Sequence, residues 1–191
     1  IYKPKNVKIH KVYKEFVDIF NKKENILEMQ VTEALHLNDY TFEEFIEYKG
    51  CNNNNEVKDY YRRFGQLMGI LYFLNGTDMH MENLISRGNQ PIVVDLETLF
   101  QQPIPFDSRD YPIMKDVRKI LFGNVTSTML LPVKHGSGRE DDFGVDLSAL
   151  DGKASKLPRK VLQPVNLGTD EMKYDFKEVS STDSNNIPFL K

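Results

Sequence analysis

The sequence predicts an α+β fold built from two lobes, and three observations support this prediction. Apolar residues recur at helical spacing over residues 57–74, which predicts a long buried helix. Two short apolar runs within residues 84–94 flank a turn that contains Gly and Asn, which predicts a β-hairpin. Four consecutive asparagines predict a loop over residues 50–55, and this loop is the natural join between a smaller N-terminal lobe and the rest of the chain.

The smaller lobe, residues 1–50, is predicted to contain four elements. Residues 1–7 form a short extended segment, residues 9–23 a helix and residues 25–36 a second helix. Residues 40–48 mix aromatic and acidic side chains and predict a strand or a short helix. The predicted apolar positions are Val12, Phe16, Ile19 and Phe20 in the first helix and Ile26, Met29 and Leu35 in the second.

The larger lobe, residues 51–191, begins with the long helix and continues through the hairpin. Residues 116–122 and 125–131 are apolar enough for short helices or strands, whereas residues 135–143 are polar and glycine-rich and predict a mobile loop. Residues 158–191 show little periodicity. The predicted apolar stripe of the long helix consists of Tyr60, Phe64, Leu67, Met68, Leu71 and Leu74.

Composition and charge restrict the class of protein. Of 191 residues, 40% are hydrophobic and 28% are charged, which favours a globular core over disorder. A net charge of -3 gives no support for binding to nucleic acid or to a membrane surface. Cys51 is the single cysteine, so a disulfide framework and a thiolate zinc site are excluded. The sequence contains no signal peptide and no transmembrane run, so we expect a cytoplasmic protein. The first residue is Ile1, and we expect the chain to be part of a longer protein.

A group of acids and amides after the long helix has the spacing of a phosphoryl-transfer site. Asp78 and Asn83 are five residues apart, which is the separation of the catalytic Asp and the metal-binding Asn in protein kinases. Twelve residues separate Asn83 from Asp95, and a hairpin between them returns the chain to the same edge. If the strand continues, Glu97 adds a second carboxylate on the same face as Asp95.

These residue types suit the chemistry of ATP and magnesium. Mg²⁺ prefers oxygen ligands from carboxylates and amides, which Asn83 and Asp95 would supply. Asp78 would orient or deprotonate the attacking hydroxyl, and His80 would assist it. Taken alone, each residue has an ordinary alternative: Asp78 and Asn83 as turn formers, His80 as a structural histidine, and Asp95 as a helix cap. Their joint spacing favours the phosphotransfer interpretation.

Two longer motifs resemble a known family. Gly-Thr-Asp-Met-His-Met-Glu-Asn-Leu-Ile, which begins at Gly76, and Pro-Ile-Val-Val-Asp-Leu-Glu-Thr-Leu-Phe, which ends at Phe100, resemble the dehydratase domain of class II lanthipeptide (lantibiotic) synthetases of the LanM type. Tyr-Lys-Pro-Lys at residues 2–5 is similar to another segment of that family, as are residues 39–45 and 146–150. The Asp-x-His-x-x-Asn pattern is also similar to the catalytic loop of phosphoinositide-type lipid kinases.

The resemblance implies an incomplete, two-lobed, lipid-kinase-like fold with a partial N-lobe and a catalytic C-lobe. It implies ATP-dependent phosphorylation of Ser and Thr in a precursor peptide that has a leader and a Ser/Thr/Cys-containing core, followed by phosphate elimination. By position, Lys3 would contact the ATP phosphates, with Lys5 as its rival, and Asn83 and Asp95 would hold Mg²⁺ with Glu97 nearby. An acidic partner for Lys3 is expected on one of the two N-terminal helices, from the candidates Glu15, Glu28 and Glu33.

The sequence also departs from the family pattern. The Arg and Thr that the family uses for elimination are not found, and a single cysteine cannot supply the ligands of the family's C-terminal zinc cyclase, which is expected in the parent protein. The residues that precede the lysine strand in the family are also missing from this sequence, so we expect this fragment to bind nucleotide poorly and to be inactive alone. Two other functions stay open: a kinase of the lipid-kinase-like fold that acts on a lipid or small molecule, and a degenerate kinase fold that binds peptide.

Overall fold

The computed structural model combines helices and strands, as the α+β prediction requires, while the lipid-kinase-like arrangement stays a prediction. The described residues are 1–101, 123–132, 134–135, 145–150, 160–179 and 185–191. The predicted elements at residues 116–122 and most of the predicted loop at residues 135–143 lie outside these ranges.

Three short strands form an antiparallel sheet near the N-terminus. They are β1 (Tyr2–Lys3), β2 (Ala34–His36) and β3 (Thr41–Glu43), in the order β1-β3-β2. Successive side chains of a strand point to opposite faces. Thr41 and Glu43 are therefore buried on one face, whereas Phe42 is exposed on the other beside Tyr2 and Leu35. The strand alternative for residues 40–48 is confirmed over Thr41–Glu43, whereas residues 44–48 form no regular element.

Helix α1 (Ile9–Asn21) forms where the sequence predicts it but buries a different stripe. His10, Tyr13 and Val17 are buried, while the predicted apolar positions Val12 and Ile19 are largely exposed. Both sets have the spacing of three or four residues that defines a helix face. The predicted and the buried stripes are offset by about one residue, and periodicity alone does not show which of them faces the core. The predicted positions Phe16 and Phe20 are only partly buried.

The predicted second helix over residues 25–36 is wrong. Its last three residues form β2, and the preceding segment has no regular structure. Side chains from elsewhere hold its backbone: Gln66 exchanges two hydrogen bonds with Leu27, and the N–H of Gln30 donates to Gln90 Oε1 over 3.2 Å. These tertiary bonds replace the bonds of a helix, so local propensity did not decide the outcome.

Helix α2 (Asn54–Phe73) confirms the strongest helix prediction and starts three residues earlier than predicted. The side chain of Asn53 accepts hydrogen bonds from the N–H groups of Asn55 and Glu56, as a helix N-cap does. The asparagine run is therefore partly the start of the helix and not only a loop. The predicted stripe is buried at Tyr60, Phe64, Leu67, Leu71 and Leu74 and partly buried at Met68.

The predicted hairpin is confirmed as β4 (Leu84–Arg87) and β5 (Gln90–Val93), with Gly88 in the left-handed conformation at the turn. A 3-10 turn at Met81–Asn83 precedes it. A second 3-10 turn at Val125–Thr128 fulfils the prediction of a short element over residues 125–131.

Two further strand pairs lie in the C-terminal part of the described residues. β6 (Lys134–His135) pairs with β7 (Val145–Asp146). β8 (Val161–Val165) pairs with β9 (Lys173–Lys177) in a hairpin that the weak periodicity of residues 158–191 did not predict.

The main hydrophobic core lies between α1, α2 and the β4–β5 hairpin. It contains Tyr13 and Val17 from α1, the buried stripe of α2, and Leu84 and Val93 from the hairpin. The cluster includes residues from both sides of position 50, and the division into lobes at that position stays a prediction. No helix among the described residues has the length and apolar character needed to cross a membrane.

Candidate functional site

The site begins where α2 ends. The N–H of Gly76 donates to the carbonyl of Leu71 over 2.8 Å, and the N–H of Thr77 donates to the carbonyl of Thr98 over 3.1 Å. A Cβ atom at Gly76 would lie 2.9 Å from Leu99 Cδ2, so only glycine fits without displacing that side chain. These backbone hydrogen bonds and the close packing of Gly76 fix the position at which the following loop, residues 78–83, leaves the core.

The loop from Asp78 to Asn83 is anchored by alternate residues. Met79 and Met81 are buried, and their N–H groups donate to the carbonyls of Thr128 and Leu147, each over 2.9 Å. Asp78 lies in the left-handed conformation with φ of 59°, and 54% of its side chain is exposed. The two buried methionines thus hold Asp78 and His80 at the surface of a rigid scaffold.

Asp78, His80 and Asn83 contact one another. Asn83 Nδ2 donates to the backbone carbonyl of Asp78 over 2.8 Å and lies 3.4 Å from His80 Nε2. His80 Nε2 is 3.7 Å from Asp78 Oδ1, and His80 Nδ1 accepts a hydrogen bond from the N–H of Glu82 over 3.2 Å. Both ring nitrogens therefore face N–H donors, Glu82 at Nδ1 and the Asn83 amide at Nε2, and the distance from Nε2 to Asp78 Oδ1 is longer than a hydrogen bond.

The hairpin brings Asn83 beside Asp95. The N–H of Val94 donates to the carbonyl of Asn83 over 3.0 Å, which extends the pairing of Leu84 with Val93 by one residue. The condition under which Glu97 would share a face with Asp95 is not met, because the strand ends at Val93 and the chain turns. The N–H of Glu97 instead donates to Asp95 Oδ1 over 3.2 Å.

The predicted ligands Asn83 and Asp95 carry oxygen donors of the kind that a magnesium ion prefers, and phosphate and water would complete its shell. Asn83 uses its amide nitrogen toward Asp78, which leaves Oδ1 as the ligating atom, and Asp95 supplies a carboxylate. Among the described residues, no group of three or more His, Cys, Asp or Glu side chains is arranged for a metal. Proteins commonly bind Mg²⁺ through one or two side-chain oxygens together with substrate phosphates, because the ion retains several of its waters.

Lys3 reaches the same edge from β1. Its Nζ lies 3.0 Å from Glu43 Oε2 and donates to the carbonyl of Val94 over 3.3 Å. The predicted partners on the helices are wrong: Glu33 pairs with Lys14 instead, and the partner of Lys3 is Glu43 on β3. Glu43 falls at a buried position of a strand with alternating burial, and a buried carboxylate needs a cation. That position was the sequence signal that could have revealed Glu43 as the partner of Lys3.

Lys5 pairs with Glu97 rather than with Glu43. The structure therefore distinguishes the two lysines by their ion-pair partners, which the sequence could not do. Lys3 is the more buried of the two, since 16% of its side chain is exposed compared with 53% for Lys5.

Sequence reasoning also missed the segments that support the loop. His80 pairs with Ser148 in an isolated antiparallel bridge, and Asp146 Oδ1 accepts a hydrogen bond from the N–H of Ser148 over 2.9 Å. The Ser148 hydroxyl is buried and has no hydrogen-bond partner among the described residues. Only the resemblance of residues 146–150 pointed to this segment, because nothing in the spacing links it to His80.

Two comparisons with known proteins agree with the motifs. The family model described as a domain of unknown function (DUF4135) matches residues 1–191. The chain is also 33% identical over 206 residues to the lacticin 481/lactococcin biosynthesis protein LcnDR2 of Lactococcus lactis subsp. lactis, a match that covers 100% of this chain and 21% of that protein. The chain thus spans about a fifth of the length of this relative. The resemblance that the motifs indicate is confirmed, and the chain belongs to the DUF4135 family.

Proposed function

We propose that this chain carries the ATP-dependent phosphorylation of Ser and Thr in a ribosomal precursor peptide, the first step of dehydration in lanthipeptide biosynthesis. The observation that carries the proposal is a series of contacts through one edge of the molecule. Lys3 binds the carbonyl of Val94, the N–H of Val94 binds Asn83, and the Asn83 side chain binds Asp78. Three separate chain segments therefore bring together the residue types that phosphoryl transfer requires.

Each residue then has one task. The peptide hydroxyl oxygen attacks the γ-phosphorus of ATP, the bond to the bridging oxygen of ADP breaks, and the hydroxyl proton passes to the Asp78 carboxylate. His80, whose Nε2 lies 3.7 Å from Asp78 Oδ1, would assist that transfer. Lys3, oriented by Glu43, binds phosphate oxygens, and Asn83 and Asp95 would hold Mg²⁺. The metal, when bound, neutralises charge on the phosphates.

The choice of a peptide substrate is supported by the relative. That protein is described as a biosynthesis protein for lacticin 481 and lactococcin, and its similarity extends over all of this chain. We infer from it a precursor peptide with a leader and a core that contains Ser, Thr and Cys. Phosphate elimination and ring closure by a zinc cyclase are the steps that would consume the phosphorylated product.

The test uses the full-length protein with ATP, Mg²⁺ and its precursor peptide, followed by mass spectrometry of the peptide. We expect phosphorylated or dehydrated peptide from the wild type and neither from Asp95→Asn, since the metal loses its carboxylate. Phosphorylation at the wild-type rate by Asp95→Asn would show that the site is wrong. Phosphorylation of a lipid or small alcohol, with the peptide left unmodified, would instead favour the lipid-kinase-like alternative.

A further inference from the structure

Two lysines of one extended segment end at the same short stretch of chain. Lys3 and Lys5 are two residues apart, on either side of Pro4. The Lys3 ammonium donates to the carbonyl of Val94, and the Lys5 ammonium forms an ion pair with the Glu97 carboxylate. Asp95 follows Val94 directly and Glu97 comes two residues later, so the two cations contact residues on either side of Asp95 in the sequence.

The two ion pairs differ in burial. The Glu43 side chain that holds Lys3 is 6% exposed, so this pair is fixed within the fold. Lys5 and Glu97 are 53% and 35% exposed, and a pair this open to water contributes little to stability. Its partners can therefore exchange when a stronger anion arrives. While this pair is intact, the hydrogen bond to Glu97 and the charges of Glu97 and Asp95 raise the pKa of Lys5.

We propose that Lys5 is a second nucleotide-binding residue, which leaves Glu97 and binds a phosphate oxygen when Mg–ATP occupies the site. This inference rests on the function proposed above. A triphosphate whose metal would be held at Asp95 would bring anionic oxygens within reach of Lys5, and a lysine ammonium binds phosphate as a compact point charge. Glu97 is then the resting partner of Lys5, and it competes with ATP instead of ligating the metal.

The experiment is a calorimetric measurement of Mg–ATP binding to the full-length protein and four variants. The variants are Lys5→Met, Glu97→Gln, the double variant Lys5→Met/Glu97→Gln, and the control Lys58→Met. Lys58 is exposed near the start of α2, at the other end of that helix from Gly76, and its loss changes the net charge equally. The key comparison is between the double variant and Glu97→Gln, because these two proteins differ only in Lys5.

We expect the wild type and Lys58→Met to bind Mg–ATP equally. Glu97→Gln should bind a few-fold more tightly because Lys5 is released, and the double variant should bind about tenfold more weakly than Glu97→Gln because a charged hydrogen bond is lost. Equal affinities of the double variant and Glu97→Gln would overturn the inference, since Lys5 would then only neutralise Glu97. Weaker binding by Glu97→Gln than by the wild type would also overturn the inference, because that result is expected if Glu97 is a ligand of the metal. If the wild type itself does not bind Mg–ATP, the proposed function fails together with this inference.

Discussion

The ammonium of Lys3 lies 3.0 Å from the Glu43 carboxylate, and it also donates to the carbonyl of Val94, which links the N-terminal sheet to the residue before Asp95. The contact depends on the pairing of β1 with β3, in which Lys3 lies opposite Thr41 and two residues from Glu43. Glu43 is almost completely buried, so its charge needs this cation. The pair therefore has a structural role as well as the proposed role in binding phosphate.

Replacing Lys3 with Met should lower the free energy of unfolding by about 2–3 kcal/mol, because it leaves a buried carboxylate without its partner. Denaturant unfolding measures this change. The matched control is Lys14→Met, which breaks the more exposed pair with Glu33 and should change stability by less than about 1 kcal/mol. Equal losses in the two variants would contradict the special role of the Lys3–Glu43 pair.

Asp78→Asn should remove activity without disturbing the loop. Asp78 has φ of 59°, a left-handed conformation that Asn tolerates as well as Asp does. We therefore expect an unchanged melting temperature and a fall in the rate of peptide phosphorylation of about 100-fold or more, the contribution typical of a general base. Asp78→Val offers the contrast, since a β-branched residue is strained there and should also destabilise the fold by about 1–2 kcal/mol. An Asp78→Asn variant with near wild-type kcat would exclude Asp78 as the base.

Gly76→Ala should destabilise the protein and displace the loop that carries Asp78. The new Cβ would lie 2.9 Å from Leu99 Cδ2 and 3.3 Å from the backbone oxygen of Leu71, and Leu99 belongs to the packed core. Overpacking of this kind costs about 1–3 kcal/mol. The control is Gly65→Ala within α2, where nothing lies within 4 Å of the added atom. That change should stabilise the helix by about 0.5–1 kcal/mol, and thermal unfolding of both variants checks the opposite signs.

Local patterns predicted the elements whose partners are close in sequence. Helix α2 and the β4–β5 hairpin follow from an apolar stripe and from a turn with Gly88, and both formed as predicted. The helix predicted for the segment before β2 did not form, because Gln66 and Gln90 bind the backbone of this segment from distant parts of the chain. A helical pattern cannot report such competing partners.

The same distinction applies to the candidate site. The spacing of Asp78, Asn83 and Asp95 could be read directly, because one loop and one hairpin bring them together. Glu43 was missed because its pairing with Lys3 depends on the register of two strands that are about forty residues apart. The interpretation of Glu97 as a ligand on the same face as Asp95 depended on a longer strand. The strand ends at Val93 and the chain turns, so the two side chains do not share a strand face.

His10 should make the stability of the fold depend on pH. It is 3% exposed in α1, and its Nε2 lies 2.8 Å from Thr32 Oγ1. Burial lowers the pKa of His10 below its ordinary value of 6.5, although the hydrogen bond to Thr32 acts in the opposite direction. In the unfolded chain the pKa returns to the ordinary value, so the unfolded state binds a proton at a higher pH than the folded state does.

The free energy of unfolding should therefore fall as the pH drops below about 6.5, until the pH passes the lowered pKa of the folded state. Carboxylates add their own pH dependence, so the measurement compares wild type with His10→Gln, in which this titration is absent. Denaturant unfolding at pH 7.5 and at pH 5.5, values that bracket the ordinary pKa by about one unit, should show a larger loss in the wild type. His10→Gln will be less stable at both pH values if the amide packs poorly, but that effect does not vary with pH. Equal losses in the two proteins between these pH values would contradict the prediction, since His10 would then titrate alike in the folded and unfolded states.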